Sequence, residues 1–179
     1  MDDNVPILIV VIAILIIMSA YFSATETAFS SLNKIKLKNL AVNGSKRAEN
    51  TLKLTKKFDS ILSTILIGNN IVNIASASIA TIVFTEFFGN AGVTLSTIVM
   101  TIVVLIFGEI SPKSLAKESP EKFAMFSTPI LKGLLILFTP LNFLFGLWKR
   151  IISKVIKVEE ISIEVEEELL TIVEEAEIK

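Results

Sequence analysis

Three short polar stretches interrupt the long apolar runs of this chain, and all of them carry oxygen. Ser19 and Ser23 are four residues apart, so on a helix both hydroxyls lie on one face. Asn69 and Asn73 repeat that spacing, with Asn70 beside the first. Gly108 and Glu109 form the third stretch, and Pro112 comes three residues after the acid. Proline has no N–H to give the carbonyl four residues back, which is that of Gly108. The sequence therefore sets a freed backbone oxygen beside a carboxylate. Joined to the two hydroxyls and the asparagine amides, these groups make a shell of about six oxygens with one negative charge, suited to Mg2+ or Na+. A single carboxylate also lets an ion leave, as transport requires.

Each part has a plainer reading. A membrane serine commonly bonds its own i−4 carbonyl. Asn69, Asn70 or Asn73 alone could join helices. Glu26, just beyond Ser23, reads first as the partner of a lysine in the next loop or as a helix cap. Glu109 could pair with Lys113 one turn on, and Pro112 could simply end a helix. Lys113 itself reads as an interfacial anchor. We rank Glu26, Asn70 and Pro112 below the other six positions.

Composition limits the chemistry. The chain has 179 residues, of which 52% are hydrophobic, with no cysteine and no histidine; its mean hydropathy is +0.69. That is an integral membrane protein. Thiolate and imidazole metal sites, disulfides and histidine-based catalysis are excluded, and we expect no enzyme. The net charge of −1 hides a split. Residues 33–57 carry eight Lys or Arg against Glu49, whereas residues 159–179 are acidic. Because apolar spans flank it, the basic stretch reads as a membrane-facing loop and not as a nucleic-acid surface.

The elements that must position the polar groups come in this order. Asp2 and Asp3 precede the first apolar run, with none of the basic residues of a cleaved signal. Residues 6–32 read as the first transmembrane helix. The basic loop then places its end in the cytoplasm and the N-terminus outside, with short amphipathic helices broken at Asn43–Gly44. Residues 60–85 read as the second span, 88–92 as a turn, and 93–107 as a third span ending in a broken Gly108–Pro112 element. Residues 123–155 are apolar but interrupted by Lys132, Gly133, Pro129 and Pro140. We read them as a re-entrant or interfacial hairpin turning near Thr139–Pro140, since a fourth span would carry Lys149, Arg150, Lys154 and Lys157 outside. The fold class is thus all-α integral membrane: three transmembrane helices plus juxtamembrane or re-entrant helices. Residues 159–179 look like the opening of an acidic helix that stops in mid-element.

Residues 19–28 (SAYFSATETA), 62–73 (LSTILIGNNIVN) and 108–113 (GEISPK) resemble, in order and spacing, the three helix motifs of the CNNM/CorC family of magnesium transporters. The likeness runs from about residue 5 to residue 157. Ser111 stands where the family commonly has a bulky apolar residue, and Ala24 where it often has glycine; neither change removes a proposed ligand. The resemblance implies a homodimer in the cell membrane and Mg2+ export coupled to Na+ entry. It also implies that the ion-binding positions fall on Ser19, Ser23, Asn69, Asn73, Gly108 and Glu109. Residues 1–157 would be the transmembrane domain. Residues 158–179 would begin a truncated acidic helical bundle leading to regulatory CBS domains absent here. The alternative function is a membrane-anchored Mg2+ sensor that moves no ion.

Overall fold

The computed structural model describes residues 4–156, and among these all regular elements are helices. The first, α1 (Val5–Ser30), has Pro6 in its opening turn, where a missing N–H costs no bond. Its 26 residues reach about 39 Å, more than a bilayer core. Ile7, Val10, Ile14 and Ile17 stand exposed on its first half. From Ser19 to Phe29 the helix is almost wholly enclosed.

Next come two short helices, α2 (Lys34–Val42) and α3 (Lys46–Thr55), with the expected break between them. Gly44 takes φ +92°, a conformation costly for other residues. Asn33 caps α2 by accepting the Lys36 N–H at 2.9 Å, and Ser45 caps α3 by accepting that of Ala48 at 3.3 Å.

Two helical stretches are long and apolar enough to cross a membrane, Val5–Ser30 and Phe58–Glu118. The second doubles back and so supplies two spans. Its outward leg is α4 (Phe58–Phe88); a tight turn at Gly89–Ala91 leads into α5 (Gly92–Val103). A side chain at Gly92 would strike the Phe84 carbonyl, so the turn can be this tight only with glycine there. Thr81 Oγ1 and Ser96 Oγ, 3.1 Å apart, join the two legs.

The third span does not end where the sequence predicts a break. It widens into a π-helical turn, Val104–Ile110, and continues directly as α6 (Ser111–Glu118). The proline is accommodated by lengthening the hydrogen-bond register: the Ser111 N–H reaches the Ile106 carbonyl, five residues back.

Residues 120–156 form α7 (Pro120–Leu137) and α8 (Thr139–Ile156), which meet at Phe138, where a turn is expected. Neither helix alone is long and apolar enough to cross, among the described residues. The sequence predicts a break at Pro129, yet this proline rides inside α7. It lies on the exposed side of that helix, where its ring and the lost hydrogen bond meet no packed neighbour. Asn142 Nδ2 returns to α4, donating to Thr64 Oγ1 at 2.8 Å.

The chain divides into two units after Asn142, and the elements carrying the polar cluster all belong to the first. The core of that unit joins Phe22, Ala28 and Phe29 of α1 to Ile61 and Ile65 of α4, Ala116 of α6 and Leu131 of α7. It lies at the end of the spans beside the basic helices. The acidic stretch expected over 158–179 lies outside the described residues.

Candidate functional site

The serines of α1 and the asparagines of α4 meet. Ser19 and Ser23 are both fully buried. Ser19 Oγ donates to Asn69 Oδ1 at 3.0 Å, and Asn73 Nδ2 reaches the same oxygen at 3.5 Å. Two oxygens beside this pair have nothing to bond: Ser23 Oγ and Asn73 Oδ1 are buried without a hydrogen-bond partner. Leaving a buried polar atom unpaired costs about 1–3 kcal/mol. The plainer reading of the serines fails here, since neither takes an i−4 carbonyl. Thr25 does so, donating to the Tyr21 carbonyl at 2.6 Å.

The π turn brings the third stretch to the same place. A Cβ on Gly108 would stand 2.9 Å from Ser19 Oγ and 3.4 Å from Ser19 Cβ, so glycine permits this close approach of backbone to α1. Glu109 is the next residue. It is half-buried and has no hydrogen-bond or ion-pair partner among the described residues. The site lies about 10–16 Å along α1 from its end at Ser30, in the half of the span nearer the basic helices.

Packing holds α1 and α4 in register. The Phe22 ring lies so close over Gly68 that a methyl group there would collide with it. One turn on from Phe22, Thr25 Oγ1 and Ser127 Oγ lie 3.2 Å apart, tying α1 to α7.

The lower-ranked positions separate. Asn70 is exposed, one residue and about 100° around α4 from Asn69. Pro112 is buried and stands just past the π turn. Glu26 pairs with Lys113, Oε2 to Nζ at 3.1 Å, instead of with a lysine of the 33–57 loop. The loop's lysines come soon after α1 in sequence, but the packing of α6 on α1 brings Lys113 to it first. The same ion pair occupies the lysine that could otherwise have taken Glu109.

The constellation is therefore two hydroxyls, two amide side chains and a close backbone segment from three spans, with a carboxylate on the residue after Gly108. Among the described residues no three acidic side chains gather in one place. Such a set can hold a compact cation through neutral oxygens and little charge.

The family model of CNNM, the cyclin M transmembrane N-terminal domain, matches residues 10–179. The chain belongs to this family. It is an integral membrane protein, with helices long and apolar enough to span a bilayer, and one relative is named an inner membrane protein. A UPF0053 protein of Haemophilus influenzae is 39% identical over 179 residues, covering 97% of this chain and 43% of the relative. The UPF0053 inner membrane protein YfjD of Escherichia coli is 40% identical over 142 residues, covering 79% of this chain and 33% of the relative. A more distant relative, the polyamine export protein of Haemophilus influenzae, is 29% identical over 150 residues, covering 76% of this chain and 35% of the relative. The chain thus spans less than half the length of these proteins.

Two features of this CNNM domain escape a reading of the sequence. Lys113 reads there as an anchor, yet it forms an ion pair with Glu26, three residues past Ser23. The available signal was charge: Glu26 and Lys113 are opposite charges that end two apolar runs at matching depth. The bond from Asn142 to Thr64 left no local signal.

Proposed function

We propose that this domain is the membrane part of a Mg2+ exporter. The observation that carries the reading is the pair of unpartnered buried oxygens, Ser23 Oγ and Asn73 Oδ1, beside the Ser19–Asn69 bond and the close approach of Gly108. Unpaired acceptors in a membrane interior call for a donor or a cation. Ser19, Ser23, Asn69, Asn73, the Gly108 carbonyl and Glu109 would replace much of the hydration of the ion. Entry from the side of the basic loop passes the Glu26–Lys113 pair. That loop would face the cytoplasm, the N-terminus the outside. Export then requires the spans to close inward and open outward, with Na+ entry supplying the driving force.

The distant relative named for polyamine export favours cation export in general. A long polyammonium cargo would want several carboxylates along its length, whereas the cluster has one acid beside it, Glu109. A small hard cation fits better. The exposed residues of α4 at helical spacing, Ile71, Ile74, Ser78 and Ile82, offer a face for a second copy in a homodimer.

The test is flux from liposomes containing the purified chain and a Mg2+ indicator. Glu109→Ala and, separately, Asn73→Ala are expected to abolish Mg2+ movement while leaving folded protein. An inward Na+ gradient is expected to accelerate it. Unchanged flux in both variants would remove these residues from the mechanism. Binding of Mg2+ with no movement in the wild type would make the domain a sensor.

A further inference from the structure

A second built feature lies away from the polar cluster. Between α3 and α7 runs an open groove of about 480 Å³, whose lining includes the polar side chains of Arg47, Asn50 and Lys132 and the apolar ones of Met125, Phe126 and Ile130. Two cations meet an apolar trough here. Neither has a carboxylate partner among the described residues. The acids of α3 and α7 are engaged elsewhere: Glu49 with Lys53 at 2.6 Å and Glu121 with Lys36 at 3.0 Å. Lys132 is held in place by Asn50 Oδ1, 3.2 Å from its Nζ, which uses one of its three donors.

The trough sits where apolar surface gives way to charge. Phe126, Ile130 and Leu137, at helical spacing, form an exposed apolar line on α7. The opposite line, Ala124, Ser127, Thr128 and Leu131, is buried against the protein. An exposed apolar line on a helix of a membrane protein suits acyl chains. Arg47 from α3 and Lys132 from α7 border that line across the groove. Pro129 also lines the groove and has no N–H for the Met125 carbonyl, which leaves an acceptor there for a headgroup hydroxyl.

We infer that this groove binds one anionic phospholipid, with its phosphate on Arg47 and Lys132 and an acyl chain along Phe126 and Ile130. Basic pockets beside membrane helices suit acidic headgroups, and the apolar lining selects a lipid over a free anion. The bound lipid bridges α3 and α7, adding to the Thr51–Thr128 hydroxyl contact at 2.7 Å. None of this depends on the identity of the transported ion.

The test uses the purified 179-residue chain in neutral detergent, with bound lipid counted by native mass spectrometry. One phosphatidylglycerol per protomer is expected to be retained, and phosphatidylcholine not. Removing both charges in the R47Q/K132Q variant is expected to weaken retention roughly tenfold or more. The K56Q/K57Q variant, with the same change in net charge, is expected to retain it. A photoactivatable phosphatidylglycerol on the wild type, which no mutation can unfold, is expected to label α7 between Met125 and Ile130. Equal loss in both double variants, equal retention of phosphatidylcholine, displacement by millimolar inorganic phosphate, or labelling confined to other helices would each overturn the proposal.

Discussion

Lys113 Nζ lies 3.1 Å from Glu26 Oε2, joining the last turns of α1 to the helix that leaves the π turn. Both side chains are about one-third exposed, at 38% and 30%. A pair this accessible contributes only about 0–1 kcal/mol to stability. Its larger effect is on Glu109, one turn before Lys113. In Glu26→Gln the freed ammonium is expected to turn to Glu109 and compete with a bound cation, lowering Mg2+ affinity about twofold or more. Lys113→Gln is expected not to lower it. Mg2+-dependent shifts in melting temperature measure both.

Ser23 gives an opposed pair of outcomes. Its hydroxyl is buried and unbonded, so Ser23→Ala removes a desolvation penalty without removing a hydrogen bond. In metal-free detergent solution the variant is expected to be as stable as the wild type, or more so by about 1 kcal/mol. Its Mg2+ affinity is expected to fall. Thr25→Ala, which loses bonds to Tyr21 and Ser127, is expected to destabilise instead.

Two glycines separate packing from binding. Gly68→Ala forces a methyl into the buried Phe22 ring and is expected to cost about 1–3 kcal/mol of stability. Gly108→Ala presses on Ser19 Oγ at 2.9 Å, a smaller conflict aimed at the cluster itself. It is expected to weaken ion binding more than it lowers the melting temperature. Equal effects of the two on binding and melting would refute this division.

Acid sensitivity is expected at the start of α7. Burial pushes the Glu121 carboxyl up, but the Lys36 ammonium and backbone N–H groups outweigh it and hold the pKa below the usual carboxylate range. A depressed carboxylate stabilises the fold fully above its unfolded pKa of about 4.3. That contribution is lost as the pH falls through the lower, folded value. Melting temperature is expected to drop below about pH 4.3 in the wild type. The drop should be shallower in Glu121→Gln, whose stability at neutral pH is already reduced.

Much of this was legible in the chain because polar residues in apolar runs are expensive and so stand out. The four-residue spacing of Ser19 with Ser23 and of Asn69 with Asn73 gave the faces that meet. Gly44, Gly89 and the Thr139–Pro140 pair gave the turns, since glycine and proline act locally. The proline-bearing elements were less legible. Pro112 announces a lost hydrogen bond, but whether the helix breaks or widens depends on what α6 packs against. Pro129 would break a buried helix; on the exposed side of α7 it does not. The Glu26–Lys113 pair spans 87 positions of sequence, and no local rule ranks it above the nearer lysines.

The π turn also sets the winding of α6. Along the third span the enclosed positions fall every four residues, at Gly92, Ser96, Met100, Gly108, Pro112 and Ala116, with Val104 partly covered. In an unbroken α-helix each such step overshoots a full turn by about 40°, so the line would drift about 240° from first to last. The wider turn rotates less per residue and takes back part of that drift, which keeps Gly108 and Ala116 toward α1. Deleting one residue between Val104 and Ile110 would restore ordinary helix there with little change in the facing of α6, because the roughly 100° lost with the residue is largely offset by the faster winding of those that remain. The extra residue is thus absorbed beside Ser19, and Pro112 and Ala116 keep their seats.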